Sequence, residues 1–344
     1  MPRQRPRPRY PFSHRGGRVA PGEPFARQTA MDVPNVDRPH IDLLVLGSFY
    51  LEVVFGEFDR LPGPGEEIFT DAFAFSCGGA LTPAVAAKRA GATASVAALL
   101  GDDLGSKLAI EQCRREGVDL SVSSTLTGPV AGISAVLNFN RDRAFISHKP
   151  RVQAAVPKAP ERWVGALQQV RPSWCHVHPG PGIVPLLETA RAQGTRVALD
   201  VNLEEIGAYP DVVVRCARLA DLFLPNTEEL LRLTGTHDIE DAVDLAAGWC
   251  PWLVVKRGPK GAIAVDRRQA TEVTEGLEDV VVRDRTGAGD AFAGAMVGRV
   301  ARGSSLLEGV AAGNAAGSEA VARLGAAGVL SVGGLVTKEK EDQS

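Results

Sequence analysis

From Ile41 onward, short apolar runs alternate with stretches of helical spacing. Ile41–Leu46 is apolar and ends at Gly47, the pattern of a buried strand. Thr82-Pro83 leads into an alanine-rich segment to Ala90, which predicts a helix with Thr82 as N-cap and proline in its first turn. Ser95–Leu100 is apolar again, and Gly101-Asp102-Asp103 turns into a helical stretch ending at Gly117. Val197–Leu199, Leu222–Leu224 and Trp252–Val255 are further short strands, separated by helical segments such as Ile183–Gln193 and Glu228–Leu233. Strands alternating with helices in this way predict a mostly parallel sheet covered on both faces.

Two regions break the rhythm. Glu52–Ser76 holds Leu61-Pro62-Gly63-Pro64-Gly65 between β-prone runs. Gly132–Ser147 alternates apolar residues (Ile133, Ala135, Leu137, Phe139) with polar ones around a turn at Asn140–Arg143. Both predict antiparallel hairpins that project from the α/β body, as a flap over a cleft, a dimer surface, or both.

Composition narrows the class. The 344 residues are 44% hydrophobic and 23% charged, too apolar for a disordered chain and long enough for one large domain or two smaller ones. No uncharged apolar run approaches the length a membrane helix needs. The five cysteines form no CxxC pair, so neither a disulfide framework nor a zinc knuckle is expected, and the compartment reads as reducing and cytoplasmic. Seven arginines against one glutamate precede Met31, whereas the rest of the chain is acidic, which argues against a nucleic-acid groove. Residues 1–38 read as a disordered basic extension without the apolar core of a secretory signal, or as the product of a start codon assigned upstream of Met31. Residues 39–335 read as the folded domain and 336–344 as a charged tail.

The chemistry gathers near the C-terminus. Val280–Asp284 reads as a strand, followed by Arg285-Thr286-Gly287-Ala288-Gly289-Asp290 and a helix from Ala291 to Arg302. A glycine-rich turn opening a helix offers free N–H groups and the positive end of the helix dipole to an anion. Asp290 is either an ordinary first-turn acid or a base that takes a proton from a hydroxyl while the neighbouring amides hold the phosphoryl group under attack. Phe292 stands where a dinucleotide fingerprint needs glycine, and Ser304 stands where a P-loop needs lysine. His176-Val177-His178 could ligate a catalytic metal, but the other histidines show no metal-site spacing, so a metal-dependent hydrolase is not favoured. His178, at the end of a strand, is either a substrate contact or a packed histidine.

Taken together these residues resemble the PfkB carbohydrate kinase family, the ribokinase-like sugar and nucleoside kinases. Asp284–Asp290 is similar to that family's DTTGAGD signature, with Arg285 for the first threonine. Leu61-Pro62-Gly63-Pro64-Gly65-Glu66 resembles its LPxPGE segment, and Cys77-Gly78-Gly79 its N-terminal glycine signature. Gly101-Asp102-Asp103-Leu104-Gly105 resembles the GxDxxG turn, Asn226-Thr227-Glu228-Glu229 the NxxE motif, and Lys256–Gly261 the glycine loop on the nucleotide side. The order is kept from about Ile41 to Ala327.

The resemblance implies a three-layer α/β/α sandwich with a mostly parallel central sheet and a small β-sheet lid made by segments 50–76 and 130–148. It implies ATP-dependent phosphorylation of a hydroxyl on a small sugar or sugar-like metabolite, with Asp290 as general base and Gly287, Ala288 and Gly289 as the anion hole. Asn226 and Glu229 would hold Mg²⁺; seen alone, they read equally as a helix cap and a first-turn acid. Gly258, Gly261 and Asn314 would flank the nucleotide, and Asp284 and Thr286 would hold K⁺. Acceptor contacts would come from Tyr50, Glu52, Gly78, Gly79, Thr82 and His178. Here the chain departs from the pattern: Tyr50-Leu51-Glu52 replaces Asn-x-Asp, Thr82 replaces asparagine, and Glu204 replaces the arginine of DPNxR. An acidic Glu204 argues against a phosphorylated acceptor and for a neutral sugar, sugar acid or nucleoside. A nucleoside kinase and a silent ligand-binding member remain the alternatives, and a homodimer through the lid is expected, without nucleic acid or membrane as partner.

Overall fold

Strands buried on both faces must place successive side chains in different layers, and this requirement organises the body of the molecule. The computed structural model describes residues 38–139, 142–150, 160–267, 271–274, 276, 280–325 and 327–328. The tails expected at residues 1–38 and 336–344 lie outside the described residues, apart from Arg38, as does the turn centre at 140–141. In chain order, β1 (His40–Leu46), β2 (Phe49–Phe58) and β3 (Phe73–Gly79) lead into α1 (Leu81–Arg89), β4 (Ala94–Ala97), β5 (Leu99–Leu100) and α2 (Leu104–Glu116). Then come β6 (Ser124–Thr125), β7 (Gly132–Phe139), β8 (Asp142–His148), α3 (Pro160–Gln169), β9 (Arg171–Val177), α4 (Val184–Ala192) and β10 (Arg196–Leu199). Helices α5 (Leu203–Ala208) and α6 (Pro210–Leu219) precede β11 (Leu222–Phe223), α7 (Thr227–Thr234) and α8 (Ile239–Ala246). The chain closes with β12 (Trp252–Lys256), β13 (Ala262–Asp266), β14 (Thr271–Thr274), α9 (Ala288–Ala301) and α10 (Leu306–Val321).

The large sheet has the order β14-β13-β12-β11-β10-β9-β1-β4, parallel from β4 to β12 and antiparallel at β13 and β14. Leu43 and Val45 of β1 join Trp174, Ala198 and Val254 in one core layer, against Phe292 and Met296 of α9. Leu44 and Leu46 join Cys175, Val177, Leu199 and Val255 in the other, against Leu186 of α4 and Val213 of α6. Winding proceeds from β1 to β4 in one direction and from β9 to β12 in the other, so the reversal between β1 and β9 opens a crevice at the carboxyl ends of the strands. All five cysteines are free and buried, as expected of residues that serve packing rather than cross-linking. Among the described residues no helix is long and apolar enough to cross a membrane.

Both expected hairpins form, and they merge. β2 pairs antiparallel with β3, β7 antiparallel with β8, and β2 runs parallel to β7, giving one four-stranded sheet. Its root is pinned. The Ala80 N–H donates to the Ser48 carbonyl at 2.9 Å, which ties the exit from β3 to the entry into β2. The Asp103 carboxylate, cap of α2, accepts from the N–H groups of Ser106, Val130 and Ala131, and so ties α2 to the entry into β7.

Helix α1 starts earlier than the sequence suggests. Gly79, at φ +68°, turns the chain close under Ser48, and Ala80 is the N-cap without a side-chain cap bond. Thr82 therefore lies within the helix and not at its cap. Similarly α9 begins at Ala288 rather than Ala291, which puts Asp290 in its first turn.

Helices α1 and α9 touch backbone to backbone at Gly294, where an added Cβ would stand 2.0 Å from the Pro83 carbonyl oxygen. Gly294→Ala forces the two helices apart and is expected to cost about 2–3 kcal/mol in urea denaturation.

Candidate active site

The alternation that builds the core also fixes which side chains leave the strand ends on the α9 side. Trp174 lies in the α9 layer, so His176 two residues on points the same way; Ala198 places Asp200, and Val254 places Lys256, by the same rule. The parallel register sets Val45, His176 and Ala198 abreast. There the Lys256 Nζ donates to Asp200 Oδ1 at 2.8 Å, and His176 Nε2 stands 3.7 Å from Asp200 Oδ2. One turn of chain further, His178 Nδ1 and Glu205 Oε2 are 3.1 Å apart. These groups line a cavity of about 1140 Å³ at the crevice.

The loop that closes this cavity is held by hydrogen bonds, not by a ladder. Val280–Asp284 forms no strand: Val281 is 73% and Val282 46% exposed, and among the described residues no strand pairs with them. The Arg283 and Asp284 N–H groups instead donate to the Val321 carbonyl at the end of α10, at 2.7 and 3.2 Å. The buried Asp284 carboxylate accepts from the N–H groups of Thr286 at 2.9 Å and Gly325 at 3.0 Å. Gly287 then takes a left-handed conformation, φ +68°, and α9 begins. The first-turn N–H groups of α9 lack intrahelical acceptors, which makes the loop a site for an anion. Lys256 abuts it, since its Nζ would stand 3.5 Å from a Cβ on Gly289. Burial, then the Asp200 carboxylate, push Asp290 above the usual carboxylate range, while His178 and Lys256 pull it back.

Each expected site residue can be placed. Asp290, Gly287, Ala288 and Gly289 line the cavity, as do Asn226, Glu229, Gly258, Gly261 and Asn314 around its other end. Asn226 and Glu229 cap α7 reciprocally: the Asn226 N–H donates to Glu229 Oε2 at 2.7 Å, and the Glu229 N–H to Asn226 Oδ1 at 2.9 Å. Capping and cavity lining are thus the same arrangement. Burial pushes Glu229 up to about 7, against the opposing pull of Lys256. Asn314 Nδ2 donates to Thr274 Oγ1 at 3.2 Å.

At the end beside the four-stranded sheet Tyr50, Gly79 and His178 line the cavity, whereas Glu52, Gly78 and Thr82 do not. Glu52 is 7% exposed and folds against Gly78, where a Cβ would stand 2.1 Å from its Oε1. Its Oε2 has no hydrogen-bond partner. Thr82, inside α1, is buried with an unpartnered Oγ1. Asp284 and Thr286 lie beneath the loop and outside the cavity lining. Sequence reasoning gave no site role to Asp200, Lys256 and Glu205, and weighed His176 only as a metal ligand. The signal for Asp200, Lys256 and His176 was a polar residue at or just beyond the end of an otherwise apolar strand.

A model of the pfkB family carbohydrate kinase matches residues 43–331. The cytidine kinase of Thermococcus kodakarensis is 27% identical over 277 residues, which cover 78% of this chain and 91% of that one. The adenosine kinase structure from Sinorhizobium meliloti superposes with a TM-score of 0.71 at 20% identity, covering 83% of this chain and 95% of that one. A ribokinase structure from Arabidopsis thaliana, complexed with ribose and ATP, gives 0.65 at 23% identity, covering 82% and 93%.

Burial, reinforced by Asp284 and Asp290, pushes Glu52 from 4.5 up to about 8. Between those values the unfolded chain has released the proton that the folded chain keeps, so the Glu52 contribution to stability falls as pH rises through this window. Glu52→Gln removes the dependence. Its unfolding free energy is expected to match the parent near pH 5 and to exceed it at pH 8 by on the order of 2–4 kcal/mol, read from denaturation curves at both pH values.

Proposed function

Since the chain belongs to the pfkB family of carbohydrate kinases, a family of phosphotransferases acting on a hydroxyl, we propose that it transfers the γ-phosphoryl group of ATP to a hydroxyl of a small sugar or nucleoside. The observation that carries this reading is the meeting, in one cavity, of Asp290, the first-turn N–H groups of α9 and the Asn226/Glu229 pair. Asp290 is the general base: its raised proton affinity suits it to take the hydroxyl proton as the oxygen attacks. The N–H groups of Gly287, Ala288 and Gly289 face the charge that develops on the transferring group. Lys256, fixed by Asp200, adds a cation beside the same loop.

The residues present fit Mg²⁺. Glu229 is a carboxylate held at high proton affinity by burial among other acids, and such a group is stabilised by a dication. Asn226 and Glu229 would hold the ion, partly through water, and the ion would neutralise phosphate charge. The unpartnered, buried Thr286 Oγ1 beside Asp284 supports a K⁺ under the loop.

The acceptor lies at the lid end against Tyr50, Gly79 and His178. Glu52 and Thr82, both buried with unpartnered oxygens, lie outside the cavity lining. Trp163, Tyr209 and Tyr50 all line the cavity and favour a nucleoside as the second reading, since each offers a ring to a flat base. Arg143 and Lys149 line it too. The argument from Glu204 against a phosphorylated acceptor therefore does not stand alone, and sugar acids remain acceptors of choice beside neutral sugars.

One face of the lid carries Phe73 of β3, Ile133 of β7 and Ile146 of β8, each more than a third exposed. A second copy of the chain, presenting the same face, would cover it and give a homodimer. Ile146→Lys is expected to shift the protein toward the monomer in analytical ultracentrifugation.

ADP release with Mg-ATP across sugars, sugar acids and nucleosides, with and without K⁺, tests the activity. Asp290→Asn is expected to lower the rate by on the order of 10²–10⁴ on whichever acceptor responds. A rate that survives the substitution removes Asp290 as the base. ATP binding with no turnover on any acceptor supports a silent ligand-binding protein instead.

A further inference from the structure

The kinase reading uses His178 only as an acceptor contact and leaves His176 without a task, and the structure supplies what the His176-Val177-His178 motif lacked, a third ligand. His176 is 2% exposed and neither ring nitrogen has a hydrogen-bond partner. Asp200 is 1% exposed, and its Oδ2 is likewise unpartnered. Polar atoms buried without partners are costly and call for an explanation. With His178 these residues offer one ligand atom each, and the three atoms lie within 4.8 Å of one another. The geometry follows from the strands: His176 and His178 are two residues apart at the end of β9, and Asp200 leaves β10 beside them.

The remaining atoms of two of the ligands are already occupied. Glu205 pairs with His178 Nδ1, which makes Nε2 the ring nitrogen to offer a metal. Lys256 and the Val201 N–H hold Asp200 Oδ1, which leaves Oδ2. Outer groups that fix one side of a ligand and aim the other are the usual support of a metal site. Two imidazole nitrogens and one carboxylate oxygen suit a first-row transition ion, whereas Mg²⁺ and K⁺ prefer oxygen alone. The surrounding charges are acidic as well: Asp200 faces both Glu229 and Asp290, Glu205 faces His178, and Lys256 is the lysine set against Asp200.

We propose that His176, His178 and Asp200 bind a first-row transition-metal ion such as Zn²⁺ in the floor of the cleft, apart from the Mg²⁺ of the nucleotide. His178 and Asp200 line the cavity together with Asp290. An ion there occupies the acceptor end and blocks phosphoryl transfer in competition with the acceptor. That second clause rests on the kinase reading, and the binding does not.

The test uses the full chain stripped of metal with a chelator. Co²⁺ titration is expected to give a visible d–d band that saturates at one equivalent, disappears on adding Zn²⁺ and survives excess Mg²⁺. His178→Ala, at the cleft surface, is expected to weaken binding by on the order of 100-fold or more, and Glu205→Gln by about 10–100-fold. Circular dichroism checks that each variant is folded, and His178→Ala decides the matter if His176→Ala is not. No saturable Co²⁺ band, or a band indifferent to His178→Ala, overturns the site. In the activity arm, Zn²⁺ is expected to raise the apparent KM for the acceptor and leave that for ATP unchanged. Binding without inhibition overturns the placement at the acceptor end and leaves the metal site standing. A protein that binds Co²⁺ as described and phosphorylates nothing overturns the kinase reading alone.

Discussion

A strand covered on both faces can release its side chains only in strict alternation, and that constraint governs both the body and the cleft. The rule that sends Leu43 and Val45 toward α9 and Leu44 and Leu46 away from it also dictates that His176, Asp200 and Lys256 arrive on the α9 side. A one-residue slip in β9, β10 or β12 would bury apolar groups in the cavity and charged ones in the opposite core. Core packing and site geometry are therefore enforced by the same register, and neither can drift without the other.

The cleft concentrates acids that burial makes costly. Asp290 and Glu229 both sit above the usual carboxylate range, and Lys256 is held in a protonated state by the same acids that it steadies. Asp200 moves the opposite way, held well below the ordinary range by Lys256 once its own burial is overcome. Two carboxylates in one cavity thus differ in proton affinity because one touches an ammonium and the other does not. This is the separation that acid–base chemistry needs. The surplus of negative charge favours a cleft that works with cations present.

The strands were legible in the sequence where apolar runs were short and bounded: Ile41–Leu46 and Trp252–Val255 were each one residue short of the observed β1 and β12. The hairpins were legible from their alternation, but their union into one sheet was not, because the parallel β2–β7 pairing joins segments about eighty residues apart. Val280–Asp284 misled for a simple reason. β-branched residues mark a strand only if a neighbour pairs with it, and among the described residues these two exposed valines have none. Thr82 misled because a capping residue type says nothing of the turn before it, and Gly79 starts α1 at once. The loop Gly287–Asp290 and the Asn226/Glu229 pair were readable as local patterns. The meeting of Asp200 and Lys256 with His176 was not, since only the sheet register brings such distant residues within reach of one another.

The pinned root of the small sheet sets how it can behave. The bond from Ala80 to Ser48 and the grip of Asp103 on Val130 and Ala131 lie at the base of the four-stranded sheet, while Phe58 and Phe139 stack toward its far end, ring centres 6.0 Å apart. A sheet clamped at one end is a lever. Tyr50, one residue into β2, lies near the fulcrum and barely moves when the far end swings. Any travel of the small sheet is thus largest at its tip and smallest at the wall of the cavity that Tyr50 forms.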